Sequence, residues 1–280
     1  MLPQAHLARL GSECTMVAVI AKKGSQVDWH DTRRDRGPWV EISVGGGRLG
    51  WWWGQPDQLG TCAYWAYLCR SVPTPVYRLG NSLQEEVVAC LLGGHGIPAT
   101  VAIAAFHAVR CAGLINVALP PTADQIELVL NQPLTIANRD FPTRYRFAHQ
   151  RAVRIAGALT RLASAGHAPE APEAFRGWLR LLPGVGPKTA SWIVRNVTGT
   201  PDVAVIDIHV QRAGREAGFF DPGWTTPRDY ALFEQAFLAV AERAGVDPIA
   251  LDCCIWQHLS QLGPRGYEPL LRRELRHRSN

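Results

Sequence analysis

The apolar and polar positions divide the chain into two parts with different periodicity. Up to about residue 75, short apolar runs alternate with glycine, proline and charged residues, which predicts strands over residues 16–21, 39–44 and 49–53. Beyond about residue 80, apolar residues recur at the spacing of helix turns. We therefore predict a small β-rich region over residues 1–75 and a mostly α domain over residues 76–280.

Capping and turn residues predict where the helices of the second part begin and end. Ser82 can cap a helix that carries Glu85 and Glu86 in its first turn, and the glycine-rich stretch 93–96 ends it. Pro98 suits the first turn of the next helix. The later predicted helices cover residues 98–110, 123–130, 143–165, 172–182, 187–197, 208–217, 227–244, 248–261 and 267–277.

Composition narrows the classes of function. The net charge of +5 allows a nucleic-acid partner without requiring one. The seven cysteines are an odd number and include no Cys-x-x-Cys pair, so we expect reduced thiols and neither a zinc site nor an iron–sulfur cluster. Polar and charged side chains interrupt the first 21 residues, which therefore predict neither a signal peptide nor a membrane span, and we expect a cytoplasmic protein.

A glycine- and proline-rich turn at residues 183–186 separates two predicted helices. Its glycines permit positive φ and a close approach of the backbone, and Pro187 suits the first turn of the following helix. Exposed N–H groups at a helix start, beside the positive end of the helix dipole, make an anion site. We therefore predict that this hairpin binds a DNA backbone phosphate through Gly184, Val185 and Gly186.

Lys188 stands out because the chain meets nearly all of its need for positive charge with arginine. Of the 29 lysines and arginines, only Lys22, Lys23 and Lys188 are lysine. Arginine stays charged, whereas a partly desolvated lysine can lose its proton and act as an amine nucleophile. The alternative is a phosphate contact, a role that arginine would fill as well.

Asp207 follows an apolar run and begins another predicted helix, 19 residues after Lys188. Aspartate is a common N-cap, so capping is the simplest explanation of this residue alone. A helix, a short loop and an extended return lie between the two residues, and this path would bring both side chains to the same side of the hairpin.

Residues 182–190 and 205–210 together resemble the helix-hairpin-helix (HhH-GPD) DNA glycosylases, in which the hairpin precedes a catalytic aspartate. The resemblance covers most of residues 80–262 and implies a mostly α, two-lobed fold with the β-rich region as an N-terminal addition. In this superfamily, a lysine at the position of Lys188 marks enzymes that also cleave the strand at the abasic site.

Short matches within this region favour one branch of the superfamily. Residues 190–191, 195–197 and 205–207 are particularly similar to the bacterial and archaeal 8-oxoguanine DNA glycosylases. Members similar to endonuclease III share the lysine and the aspartate, but most carry a four-cysteine iron–sulfur motif that is absent from this sequence. We therefore expect an enzyme without a cofactor.

The resemblance implies the roles of the catalytic residues. Asp207 would stabilise positive charge on the deoxyribose, and Lys188 would attack C1′ as a neutral amine and form a Schiff base. An ordinary lysine is only about one part in a thousand neutral near pH 7.4, so its pKa must be lowered. His209 is a candidate contact to a 5′ phosphate, with a purely structural histidine as the alternative.

A base pocket is expected because the damaged base must leave the stack to be reached. Trp192 and Trp256 are candidate stacking walls, Asp252 a candidate acceptor for purine N–H groups, and Gln84 a further pocket candidate. His95 lies in the glycine-rich loop and is a candidate wedge that fills the gap left by the flipped base. A place in the apolar core is the alternative for both tryptophans.

Three hypotheses follow for function. The first is a base-excision repair glycosylase and lyase that acts as a monomer on double-stranded DNA containing 8-oxoguanine, in the cytoplasm at the nucleoid. The second is a glycosylase for another modified base. The third is a non-catalytic hairpin module that binds DNA, in which arginine would replace Lys188 without loss.

Overall fold

The computed structural model describes residues 36–73, 77–94, 96–136 and 140–262. Within these ranges the chain forms one antiparallel hairpin and ten helices. The strands are β1 (Trp39–Val44) and β2 (Gly47–Trp52), and the helices are α1 (Cys62–Ser71), α2 (Leu83–Leu92), α3 (Ala99–Cys111), α4 (Ala123–Leu130), α5 (Ala148–Ser164), α6 (Pro172–Leu179), α7 (Pro187–Thr198), α8 (Ile208–Ala217), α9 (Tyr230–Ala244) and α10 (residues 248–262). The predicted strand over 16–21 and helix over 267–277 lie outside the described residues.

The hairpin confirms the strands predicted around residues 39–44 and 49–53. Trp39 pairs with Trp52 across it, and a two-residue turn at Gly45 and Gly46 closes it with φ values of 59° and 80°. Positive φ at both positions matches the twist of a tight hairpin and favours glycine. Alternate side chains face the core, which gives the hairpin one buried and one exposed face.

Helix α1 is a helix that the apolar pattern did not predict. Thr61 caps it by accepting a hydrogen bond from the Tyr64 N–H. Cys62, Trp65 and Cys69 are buried at positions that share one face of the helix. The prediction of a β-rich region is therefore incomplete, because the aromatic residues of this short helix are also frequent in strands.

Two hydrophobic clusters give the described chain two lobes. One cluster is built from α2 to α7, and the other from the hairpin, α1 and α8 to α10. The segment at residues 203–206 crosses between them, since Val203 belongs to the first cluster and Ala204 and Ile206 to the second. The mostly α, two-lobed fold is thereby confirmed. The domain boundary at residue 75 stays a prediction, although the hairpin and α1 share their core with the last three helices.

Three predicted helices begin or end about three or more residues from the predicted limit, among them α9, which begins at Tyr230 rather than at 227. Helix α5 starts at Ala148 rather than at 143, because Leu134 and Thr143 pair through two backbone hydrogen bonds of 2.8 and 2.9 Å. Helix α6 ends at Leu179 rather than at 182, because the chain must already turn towards α7. The apolar periodicity could not predict the start of α5 or the end of α6, because the first depends on a backbone pairing and the second on the turn that follows the helix.

Candidate active site

The predicted hairpin lies between α6 and α7. Gly184 has a φ of +82°, and a Cβ atom there would lie 2.6 Å from Cδ of Arg154. Gly186 is the N-cap of α7; it is exposed, and an added Cβ would meet nothing within 4 Å. No side chain of the described residues caps this helix start. The open N-terminus is compatible with the predicted anion site.

Val185, between the two glycines, is less accessible to a phosphate than they are. Its side chain is buried in the first cluster, and its N–H donates to the carbonyl of Leu182 at 3.1 Å. Since neither its side chain nor its N–H is available, the predicted phosphate contact through Val185 is not supported. The structure gives this residue a packing role inside the hairpin.

Lys188 lies in the first turn of α7 and is half-buried. Its Nζ atom sits 4.6 Å from the ring centre of Trp192, one helical turn further on. Gly93 at the end of α2 also lies beside that indole, and an added Cβ there would lie 3.1 Å from the ring. A larger residue at position 93 would therefore displace the tryptophan that contacts the lysine.

The surroundings of Lys188 lower its pKa from the ordinary value of 10.5. Burial is the largest cause, because the ammonium form is poorly solvated there. The charge of Asp207 opposes this shift, as does Cys90, whereas the positive charges of Arg151 and Arg195 add to it. Burial therefore outweighs the aspartate, a balance that the sequence leaves open, and the net effect is a lowered pKa of Lys188.

Asp207 is the N-cap of α8, as the simplest explanation of the sequence has it. Its Oδ1 atom accepts hydrogen bonds from the N–H groups of His209 and Val210 at 2.8 and 2.9 Å. Oδ2 has no hydrogen-bond partner among the described residues, and the carboxylate is partly exposed. Capping uses one oxygen and leaves the other free to act near Lys188, so the two roles are compatible.

His209 is half-buried at the start of α8. Burial lowers the pKa of its imidazole, Asp207 opposes the shift, and Arg212 adds to it. Its Nδ1 atom is buried without a hydrogen-bond partner among the described residues. A neutral ring is favoured under these conditions, and the contact to a 5′ phosphate stays a prediction.

The pocket candidates do not all come together. Trp192 packs against the first cluster while its ring contacts Lys188, so it belongs to both the core and the site. Gln84 is half-buried in the first turn of α2. Trp256 is 41% exposed on α10. His95 lies outside the described residues.

Asp252 is a correction to the sequence analysis. It is only 3% exposed, and its two oxygens are occupied by an ion pair with Arg195 and a hydrogen bond from the Val205 N–H. A carboxylate this deeply buried presents no open surface to a flipped base. It also differs in burial from Trp256, so the two residues do not form one face of a pocket.

Arg151 and Arg154 of α5 are residues near the site that sequence analysis missed. Arg154 packs beside Gly184, and Arg151 lies near Gly94 and acts electrostatically on Lys188. The Nε atom of Arg151 is buried without a partner among the described residues. Their three-residue spacing on one helix face was the available signal.

Glu86 is another functional side chain that its sequence position hid. It is fully buried and accepts hydrogen bonds from the N–H groups of Leu79 and Gly80 at 3.0 and 2.8 Å. The Asn196 side-chain amide donates to its other oxygen, and Asn196 in turn accepts from Arg195. Its effect is therefore more than a favourable charge at a helix start, because it ties α2 to α7.

A two-lobed helical fold, a hairpin with an open helix start, and a lysine with a lowered pKa beside an aspartate define a helix-hairpin-helix DNA glycosylase. Residues 80–246 match the helix-hairpin-helix family described as 8-oxoguanine DNA glycosylase. The chain therefore belongs to the 8-oxoguanine DNA glycosylase family and is a DNA glycosylase of base-excision repair, which confirms the resemblance found in the sequence.

Two solved structures with a TM-score of 0.50 agree on the fold. The chain is similar to the 8-oxoguanine glycosylase/lyase of Methanocaldococcus jannaschii in complex with DNA containing 8-oxoguanine, with 24% identity, 64% of this chain and 81% of that chain covered, and a TM-score of 0.50. A trapped endonuclease III–DNA covalent intermediate matches with 17% identity over 69% and 81% of the two chains, with a TM-score of 0.50. The 8-oxoguanine DNA glycosylase of Thermotoga maritima matches with 25% identity over 63% and 79%, with a TM-score of 0.46.

Proposed function

We propose that the chain excises 8-oxoguanine from double-stranded DNA and then cleaves the strand at the abasic site, with Lys188 as the nucleophile. The Lys188 amine forms a bond to C1′, and the bond from C1′ to the base breaks, so that the base leaves with that electron pair and takes up a proton. The nitrogen lone pair then displaces the ring oxygen from C1′, the ring oxygen takes up a proton, and the C1′–N bond becomes a Schiff base. Asp207 stabilises the positive charge that develops on the sugar.

The second step is a β-elimination. The imine makes the C2′ hydrogen acidic, so that a base removes this proton and the bond from C3′ to its phosphate oxygen breaks. The strand is cut on the 3′ side, and hydrolysis of the imine releases the lysine. These steps use side chains of the chain alone, and we expect no cofactor.

The observation that carries this proposal is the lowered pKa of Lys188 at the start of the hairpin's second helix, with Asp207 close enough to act on it electrostatically. A phosphate-binding lysine works best fully charged, whereas a nucleophile needs the neutral amine. The relative from Methanocaldococcus jannaschii, which is in complex with DNA containing 8-oxoguanine, supports damaged DNA as the partner.

Borohydride trapping tests the proposal. Wild-type enzyme incubated with an 8-oxoguanine duplex and borohydride should form a covalent adduct, and Lys188→Gln should form none. Lys188→Arg keeps the positive charge and serves as the matched control, because it should bind the duplex and yet fail to release the base. A Lys188→Arg enzyme with wild-type base release would instead identify a phosphate contact.

A glycosylase for another modified base is the second candidate, because Asp252 is removed from the pocket by its pairing with Arg195. The purine-specific acceptor assigned from the sequence is then absent from the described site. A panel of duplexes with different lesions separates the two candidates. Preferential release of a base other than 8-oxoguanine would favour this second function.

The expected setting is a monomer in the cytoplasm, acting at the nucleoid. Among the described helices, none is both long and apolar enough to cross a membrane. Size-exclusion chromatography of the free enzyme and of its complex with a short duplex tests the monomer.

A further inference from the structure

The segment at residues 203–206 connects the two lobes and leads directly into Asp207. It is buried and irregular, it belongs to neither strand of the β-hairpin, and it turns just before Asp207, whose N–H donates to the Val205 carbonyl at 2.9 Å. A buried backbone N–H without an acceptor costs about 1–3 kcal/mol, so each amide here needs a partner. Side chains of α9 and α10 supply three of these partners.

The first holding point is Asp252. Its carboxylate accepts a hydrogen bond from the Val205 N–H at 3.3 Å and forms an ion pair with Arg195. Arg195 lies on α7, about two turns beyond Lys188. The pair therefore ties the segment before Asp207 to the helix that carries the lysine.

The second holding point is Glu234 on α9. Its Oε1 atom accepts hydrogen bonds from the Ala204 N–H at 3.0 Å and from the Ser191 hydroxyl at 3.1 Å. Ser191 also lies on α7, about one turn beyond Lys188. The other oxygen of Glu234 pairs with Arg176 of α6, which joins the hairpin's first helix to the same network.

The third holding point is Tyr230, also on α9. Its hydroxyl accepts a hydrogen bond from the Ile206 N–H at 3.2 Å and donates one to the Ala204 carbonyl at 2.7 Å. The ring is buried in the second cluster. This contact holds the residue immediately before Asp207 without any charge.

We propose that Asp252, Glu234 and Tyr230 are positioning residues that set the place of the Asp207 carboxylate relative to the Lys188 amine. The inference rests on the roles proposed above for those two residues. A buried polar network whose members are all paired is rigid, and a buried ion pair is by itself a weak source of stability compared with apolar packing. A displacement of about 1 Å at a reacting group can slow a reaction about 100-fold.

Tyr230→Phe is the cleanest test because it keeps the ring, removes one hydroxyl and changes no charge. We expect single-turnover base release to slow by about 10- to 100-fold while the Kd for the duplex is unchanged. Tyr64→Phe is the matched control: it removes a hydroxyl bonded to His258 at 3.0 Å in the same lobe, away from the segment. Its rate should equal that of the wild type.

The pH profile separates positioning from a loss of folded enzyme. Asp207 raises the pKa of Lys188, so a displaced Asp207 lets that pKa fall further, and the rate begins to rise at lower pH. Arg151, Arg195 and Cys90, the other groups that act on Lys188, are unaltered in Tyr230→Phe. A smaller folded fraction would scale the rate by the same factor at every pH.

Asp252→Asn is the second variant, and it should show the same slow release and retained binding. If it does not fold because Arg195 is left unpaired, Tyr230→Phe supplies the result. An active wild type whose Tyr230→Phe variant keeps both its rate and its pH profile would overturn the positioning role alone. A wild type that releases no base would overturn the proposed function itself.

Discussion

Asp207→Asn separates the two roles that the structure gives this residue. Asparagine and aspartate are equally good N-caps, so the amide oxygen can keep the bonds of 2.8 and 2.9 Å from the N–H groups of His209 and Val210. The charge is lost, which removes about 0.3–1 kcal/mol of interaction with the helix dipole. We expect the variant to fold and to melt close to the wild type.

Activity should behave differently from stability. Without the negative charge, the cation that develops on the sugar loses its partner, and we expect base release to slow by about 100- to 1000-fold. The pKa of Lys188 falls at the same time, because Asp207 is a cause that raises it. The amine is then more often neutral and yet the reaction is slower, which distinguishes charge stabilisation from simple activation of the nucleophile.

Single-turnover release of 8-oxoguanine and thermal melting are the two measurements, with Asp207→Ala as the comparison. Alanine removes the cap and should cost about 1 kcal/mol, or about 2–4 °C in Tm for a chain of this size. Both variants should lose activity to a similar extent. An Asp207→Asn enzyme with a nearly wild-type rate would refute the reasoning and leave Asp207 as a cap only.

Three further predictions concern the surroundings of the site. The rate of base release should rise with pH, because the neutral amine is the reacting form. The midpoint of the rate–pH profile should lie below 10.5, because the pKa of Lys188 is lowered. A midpoint at or above that value would contradict Lys188 as the nucleophile. Asp252→Ala leaves the buried Arg195 without its counter-charge and should cost about 3–5 kcal/mol in urea unfolding. A change under about 1 kcal/mol, which is typical of exposed pairs, would argue against a buried ion pair. Gly184→Ala should lower Tm, because Gly184 has a positive φ and an added Cβ would collide with Arg154. Gly186→Ala should fold normally and weaken duplex binding in a salt titration. Equal effects of the two substitutions would contradict the hairpin geometry.

The candidate catalytic residues could be predicted from local features of the sequence, whereas the contacts that hold the site together could not. Lys188 and Asp207 were recognisable because each sits at a helix start, next to a distinctive turn or an apolar run. Asp252 was misassigned because a carboxylate on an apolar helix has the same sequence signature whether it faces a ligand or a buried arginine. The partner that decides between them, Arg195, lies 57 residues away along the chain.

The secondary structure likewise includes elements that local sequence signals predicted and one that they did not. Helix α2 was predictable from the Ser82 cap and the apolar residues that follow. The β-hairpin of β1 and β2 was predictable from its short apolar runs separated by glycine. Helix α1 was missed because its local preferences conflict: its tyrosines and tryptophan favour strands, whereas its alanines favour a helix. In the folded protein its buried face packs into the second cluster.

The sequence by itself determined the helical framework and the turn at residues 183–186, which depend on contacts within a few residues, through caps, turn glycines and apolar periodicity. The catalytic roles proposed for Lys188 and Asp207 came from the resemblance to the glycosylases. Only the tertiary structure decided that burial outweighs Asp207 in the pKa of Lys188, and that Asp252, Glu234 and Tyr230 hold the segment before Asp207. Both outcomes depend on desolvation and hydrogen bonds between distant residues, which exist only once the two lobes have packed.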